Sequence, residues 1–97
     1  MDRTAVLEQL LKVLREMQER IGSQPVALDM NSCPLRDLPQ FDSLLALEAS
    51  VEMEAILGCK TEDNIFFDDN NKRALTVTEI VERLFQRLTS GNTGSSL

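Results

Sequence analysis

Leu38-Pro39-Gln40-Phe41-Asp42-Ser43-Leu44-Leu45-Ala46-Leu47-Glu48-Ala49-Ser50-Val51-Glu52-Met53-Glu54-Ala55-Ile56-Leu57-Gly58 is the stretch on which the fold turns. Pro39 keeps the chain irregular before Phe41. Asp42 and Ser43 are both residue types that open helices. No Gly or Pro interrupts the run that follows until Gly58, a stop signal. The segment predicts a helix over 43–57. On a helical wheel its apolar residues form two groups. Ala46, Ala49, Met53 and Leu57 lie together. Leu44, Val51 and Ala55 lie roughly opposite, with Leu47 at the edge between the groups and Glu48 and Glu52 beside the second. A helix in a small bundle normally buries one stripe. The second stripe therefore marks either a central helix contacted on most sides or a docking face, apolar knobs rimmed by carboxylates.

Upstream, residues 4–21 predict another helix. Leu7, Leu10, Leu11, Leu14, Met17 or Gln18, and Ile21 recur at helical spacing. Thr4 or Asp2 can cap it, and Gly22 ends it. Residues 22–42 hold Pro25, Pro34 and Pro39, all three prolines of the chain, and read as a long loop. Loops of that length in a small domain are usually functional or packed by their own apolar residues. Val26, Leu28, Leu35, Leu38 and Phe41 are the candidates to pin it to the core. Downstream, a short helical turn is expected near 62–67 around Ile65, Phe66 and Phe67, then a polar loop at 68–71. A last helix follows from about 76 to 88, capped by Thr76 or Thr78, with Val77, Ile80, Val81, Leu84 and Leu88 inward. The Gly/Ser/Thr-rich residues 90–97 read as a disordered tail. The fold class is all-α: a small four-helix bundle of three main helices plus one short helix, with a long loop after the first. The domain spans 1–89.

At 97 residues the chain makes one small domain. Its net charge of −6 is uneven, since residues 37–69 carry nine acids against one lysine. This acidic third is equally a solvated face and a means of steering toward basic partners. It argues against nucleic acid, which needs a basic face. The longest uninterrupted apolar run is the four residues 44–47, which excludes insertion across a bilayer. No signal segment precedes the first helix, and a cytoplasmic monomer is expected. Cys33 and Cys59 lack metal-ligand spacing and read as free thiols in a reducing compartment. Asp68, Asn70, Lys72 and Glu79 fall in a calcium-loop frame, but Lys72 and Arg73 occupy positions that such a loop cannot give them.

Ser43 has no partner that could make it a catalyst, because the chain contains no histidine. No Gly-x-Ser-x-Gly turn surrounds it. Its plain role is that of a helix cap or first-turn residue, and the same holds for Asp42. A phosphoester on Ser43 would meet the free amides and the dipole of a helix N-terminus.

Asp42-Ser43-Leu44 after a loop, the acidic helix from Ser43 to Gly58, Asn64-Ile65-Phe66-Phe67-Asp68, and Leu75-Thr76-Val77-Thr78-Glu79-Ile80-Val81 opening the last helix together resemble the acyl carrier protein family. The resemblance covers roughly residues 4–88. It implies a four-helix bundle of acyl-carrier type and a non-catalytic protein, modified by a separate phosphopantetheinyl transferase. Ser43 would carry covalent 4′-phosphopantetheine, on whose thiol an acyl or aminoacyl cargo is held as a thioester. Asp42, Leu44, Glu48, Val51 and Glu54 fall where the family contacts its partners, and Glu52 adjoins them on the wheel. Those partners would be loading and condensing enzymes with basic docking surfaces. The resemblance implies no metal. Leu45 stands where many fatty-acid carriers have an acid, and Pro39-Gln40-Phe41 replaces a commoner Gly-containing approach. Both imply a specialised carrier with a more apolar docking face. The alternative is a carrier-like helical interaction module without a prosthetic group.

Overall fold

A computed structural model of the chain describes residues 2–22, 26–58, 64–68 and 72–94, with 89–94 as backbone only. It is all-α, with helices α1 (Arg3–Arg20), α2 (Pro34–Asp37), α3 (Ser43–Leu57) and α4 (Val77–Gly94). α1 is the shared partner and packs against both α3 and α4. This resolves the double stripe of α3: the helix flanked on two sides is α1, and α3 buries one face.

α1 starts at Asp2, whose carboxylate accepts from the Ala5 N–H at 2.8 Å. Its buried stripe is Val6, Leu10, Val13, Leu14, Met17 and Gln18. The expected register was rotated slightly: Leu7, Leu11 and Ile21 are only half-buried, and Val6 and Val13 take the centre. Gly22 ends the element with φ 79°, a left-handed conformation that costs glycine nothing.

The long loop is built, not slack. Gln18 is buried and reaches from α1 to its start: Oε1 accepts from the Val26 N–H at 2.9 Å, and Nε2 donates to the Leu14 carbonyl. The Ser32 and Met30 carbonyls accept from the Val77 and Thr78 amides at 2.8 and 3.0 Å, satisfying two first-turn donors of α4. The Thr78 hydroxyl donates to Met30 as well, at 2.7 Å. Leu38 and Phe41 are buried, and Leu28 and Leu35 pack against the core. Val26 departs from expectation and is exposed. α2 interrupts the loop, with Pro34 at its first position and the Cys33 N–H donating to Asp37 Oδ2 at 2.7 Å.

Among the described residues the short helix lies at 34–37, and 64–67 is not helical. Residues 62 and 63 of the expected turn lie outside the described residues. Over 64–67 the chain makes a turn, then pairs: Phe67 and Ala74 form an isolated antiparallel bridge, and Leu75 N–H donates to Phe66 O at 2.9 Å. Ile65 and Phe66 are fully buried in the core with Met53, Val77, Ile80 and Leu84. Three successive bulky residues plus β-pairing partners seven and nine residues on favour this arrangement over one helical turn.

α4 is capped by Thr76 and Glu79 in reciprocal fashion. The Glu79 N–H donates to Thr76 Oγ1 at 3.3 Å, and the Thr76 N–H donates to Glu79 Oε1 at 3.0 Å. The inward residues are as expected, with Leu88 packed at the edge of the core. The end is not: α4 continues to Gly94, past the predicted stop at 88 and into the expected tail. Residues 95–97 of that tail and Cys59 lie outside the described residues. Cys33 is a buried free thiol.

Candidate functional site at the head of the third helix

α3 opens on a division of labour between two adjacent residues. Asp42 is the cap. Its backbone is extended, and its Oδ1 accepts from the Leu45 N–H at 3.0 Å. Ser43 is the first helical residue and is exposed. Its hydroxyl is therefore not needed to start the helix. Gly58 closes the element at φ 70°, its N–H donating to the Glu54 carbonyl at 2.9 Å.

The approach to Asp42 carries the one non-glycine residue with positive φ among the described residues, Gln40 at 61°. The left-handed region costs an L-residue roughly 1–2 kcal/mol. Phe41 follows it and turns inward, where its ring meets Phe66. Gln40 thus redirects the chain, so that Phe41 goes into the core and Asp42 and Ser43 stay at the surface.

The two stripes of α3 separate as the wheel predicts. Ala46, Ala49 and Met53 are wholly buried, and Leu57 packs beside them. Leu44 and Val51 are 63% and 59% exposed, and Leu47 is 46% exposed. Glu48 is exposed between them. Glu52 is half-buried and pairs with Arg20 of α1 at 3.3 Å, so it is less available than its neighbours. Glu54 is half-buried and lies off the stripe. Leu45 packs inward against the core, so it adds nothing to the outer face. An apolar surface flanked by carboxylates remains, beginning beside Ser43.

Two residues that sequence reasoning missed tie this region together. Ser50 is buried; its Oγ donates to the Ala46 carbonyl at 2.8 Å and accepts from the Ile65 N–H at 3.1 Å. Asn64 donates from Nδ2 to the Ser43 carbonyl at 3.1 Å, while its Oδ1 accepts from the Phe66 N–H at 3.0 Å. The second of these bonds is an Asx turn, for which an Asn directly before an apolar run is the sequence signal. Nothing in the sequence marks Ser50 except its place in the small-residue stripe with Ala46 and Ala49.

Of the calcium-loop frame, Asn70 lies outside the described residues, and the Asp68 and Glu79 carboxylates face donors of the chain itself. Asp68 Oδ1 accepts from the backbone amides of Lys72 and Arg73 at 2.9 and 3.3 Å. Glu79 takes the Arg73 guanidinium at 2.8 Å along with the Thr76 amide. Arg73 first, then the Thr76 amide, hold the Glu79 carboxyl down at about 2 against an ordinary 4.5. One turn further along α4, Arg3 pairs with Glu82 at 2.7 Å and lies 4.2 Å from the centre of the Phe85 ring. That pairing lowers the Glu82 carboxyl as well.

No described helix is long and apolar enough to cross a membrane. Comparison with protein-family models, curated proteins and solved structures finds no match to the chain.

Proposed function

We propose that the chain is an acyl or aminoacyl carrier protein whose bundle is of acyl-carrier type. Ser43 is the attachment point of 4′-phosphopantetheine, and the α3 face presents the cargo to partner enzymes. One observation carries this reading: Ser43 is exposed at the first position of α3, released from capping by Asp42, at the start of an unpartnered apolar stripe. The terminal thiol of the arm supplies the thioester chemistry.

The residues present fit the group. A phosphodiester on Ser43 Oγ stands at a helix N-terminus, where backbone amides and the dipole favour negative charge. The Asp42 carboxylate accepts from the Leu45 amide. Gln40 takes the left-handed conformation that glycine supplies freely, within the approach where carriers commonly have a glycine. The chain has no histidine to deprotonate its own serine, so the base belongs to a phosphopantetheinyl transferase. Ser43 Oγ loses its proton to that base and forms the bond to the β-phosphorus of coenzyme A. The pyrophosphate P–O bond breaks, and 3′,5′-adenosine diphosphate leaves.

The partners are the transferase and loading and condensing enzymes with basic docking surfaces. Leu44 and Val51 supply apolar contact; Asp42, Glu48, Glu52 and Glu54 supply charge. Association with a basic partner weakens as salt screens the exposed carboxylates. Insensitivity to salt would leave the apolar residues as the sole contact.

The test is mass spectrometry after incubation with coenzyme A and a permissive transferase. The expected result is one added phosphopantetheine on the wild type and none on Ser43→Ala. If several such transferases leave the wild type unmodified, the reading fails, and the chain is a carrier-like interaction module.

A further inference from the structure

We propose that Asn64 is a positioning residue for Ser43, holding the first turn of α3 in the geometry that a modifying enzyme meets. The inference rests on the carrier reading of Ser43.

Ser43, Leu47, Ser50 and Glu54 share one side of α3, because they recur at helical spacing. The chain returning after α3 is bonded to that side at two heights. Asn64 Nδ2 donates to the Ser43 carbonyl, and Ser50 Oγ links the Ile65 amide to the Ala46 carbonyl. The two contacts do different work. The Ser50 link is buried, and anchors Ile65 in the core. The Asn64 link is at the surface and terminates on the peptide group that joins Ser43 to Leu44.

The Asn64 side chain is fixed from behind. Its Oδ1 is held by the Phe66 N–H, and Phe66 is wholly buried. The orientation of Nδ2 is therefore inherited from the core and not chosen at the surface. Ser43 itself has no such anchor, since it is exposed and Asp42 does the capping. The Ser43–Leu44 peptide, which carries both the modified residue and the first apolar docking residue, is steadied by a side chain from the chain that returns along α3. A donor is required, because an acceptor at that point would face a carbonyl oxygen.

The test compares Asn64→Asp with Asn64→Ala and Ser50→Ala in the full chain. Asp keeps an acceptor for the Phe66 amide but cannot donate to Ser43. Rates of Ser43 phosphopantetheinylation are measured well below each variant's melting temperature. Loss of one exposed hydrogen bond predicts a fall in kcat/KM of about threefold to tenfold for both Asn64 variants. The Leu44 amide nitrogen should also shift in the NMR spectrum of unmodified protein. Ser50→Ala, more destabilising because a buried amide loses its acceptor, should leave kcat/KM within about twofold of wild type. Equal rates for wild type and both Asn64 variants, or an equal slowing in Ser50→Ala, overturn the proposal. A wild type that no transferase modifies overturns the carrier reading, and this inference with it; the two failures are told apart by the wild-type arm alone.

Discussion

The Phe41 and Phe66 rings meet edge to face, with centroids 5.3 Å apart and planes at 68°. Phe41 precedes the head of α3 by two residues, and Phe66 belongs to the chain that returns after α3. Their contact closes a circuit whose outer rim holds Asp42, Ser43 and Asn64. The exposed serine is thus framed by a contact between two buried rings.

Removing either ring tests that frame. Phe66→Ala should cost about 3–5 kcal/mol, and Phe41→Ala should fall toward the lower end because its site lies at the rim of the core. For a domain of this size, the first approaches the whole folding free energy. Urea unfolding monitored by circular dichroism measures both, and a loss below about 1 kcal/mol for Phe66→Ala would show that the ring is not part of the packed core.

Gln40 predicts a gain. Gln40→Gly relieves the left-handed strain but enlarges the entropy of the unfolded chain, so the net change is between zero and about 1 kcal/mol of stabilisation. Gln40→Val places a β-branched residue in the same conformation and should cost about 1 kcal/mol or more. Opposite signs in the urea midpoints are the expected outcome. Two substitutions of equal cost would mean that φ at this position is not restrictive.

The capping assignment separates Asp42 from Ser43. Asp42→Ala should destabilise by about 1 kcal/mol, because the Leu45 amide loses its acceptor. Ser43→Ala should change stability by less than about 0.5 kcal/mol, as a surface substitution outside any cap. Thermal melts of the two variants give the comparison directly. A larger loss for Ser43→Ala would return the capping role to the serine.

Glu79 sets an acid limit. Its folded pKa lies near 2, below the ordinary 4.5. A depressed carboxylate contributes stability that is fully present above its unfolded value and lost as pH falls toward the folded one. The loss from this group therefore falls between about pH 4.5 and about 2. Glu82, lowered by Arg3, acts in the same direction. Glu79→Gln can still accept from the Thr76 amide but carries no charge, so its stability should fall less steeply through that window. Parallel pH profiles for variant and wild type would refute the assignment.

The main helices were legible in the sequence because each carries a periodic stripe, and α1 and α3 end at clear stop signals, whereas α4 runs past its expected end. Gly22 and Gly58 end two of them at positive φ, as glycine allows. The outer stripe of α3 was legible for the same reason: Leu44 and Val51 could not share a face with Ala46 and Met53. What could not be read was pairing over distance. The Phe67–Ala74 bridge depends on a partner across a loop, so the apolar run at Ile65 looked like a helical turn. The register of α1 was set by which neighbours α3 and α4 presented, and Val6 and Val13 won places that helical spacing alone gave to Leu7 and Leu11. Leu45 was misread for a related reason. Its apolar character suggested a stickier outer surface, but it lies toward the core and leaves that surface unchanged. Within the site, Asp42 and Ser43 were seen together while their separate duties were not. Both can cap a helix, and only geometry shows which one does.

The carbonyls of Met30 and Ser32, which receive the first amides of α4, have a consequence for the order of assembly. A helix commonly finds its cap in the residue just before it, but α4 also borrows acceptors from chain emerging more than forty residues earlier, with Thr78 and Met30 separated by 48 positions. During synthesis those acceptors exist long before α4 does. An α4 peptide cut from the rest would retain the Thr76–Glu79 cap yet lack this second set of hydrogen bonds. Its first turn is a late joint, sealed when α4 meets the loop that follows α1.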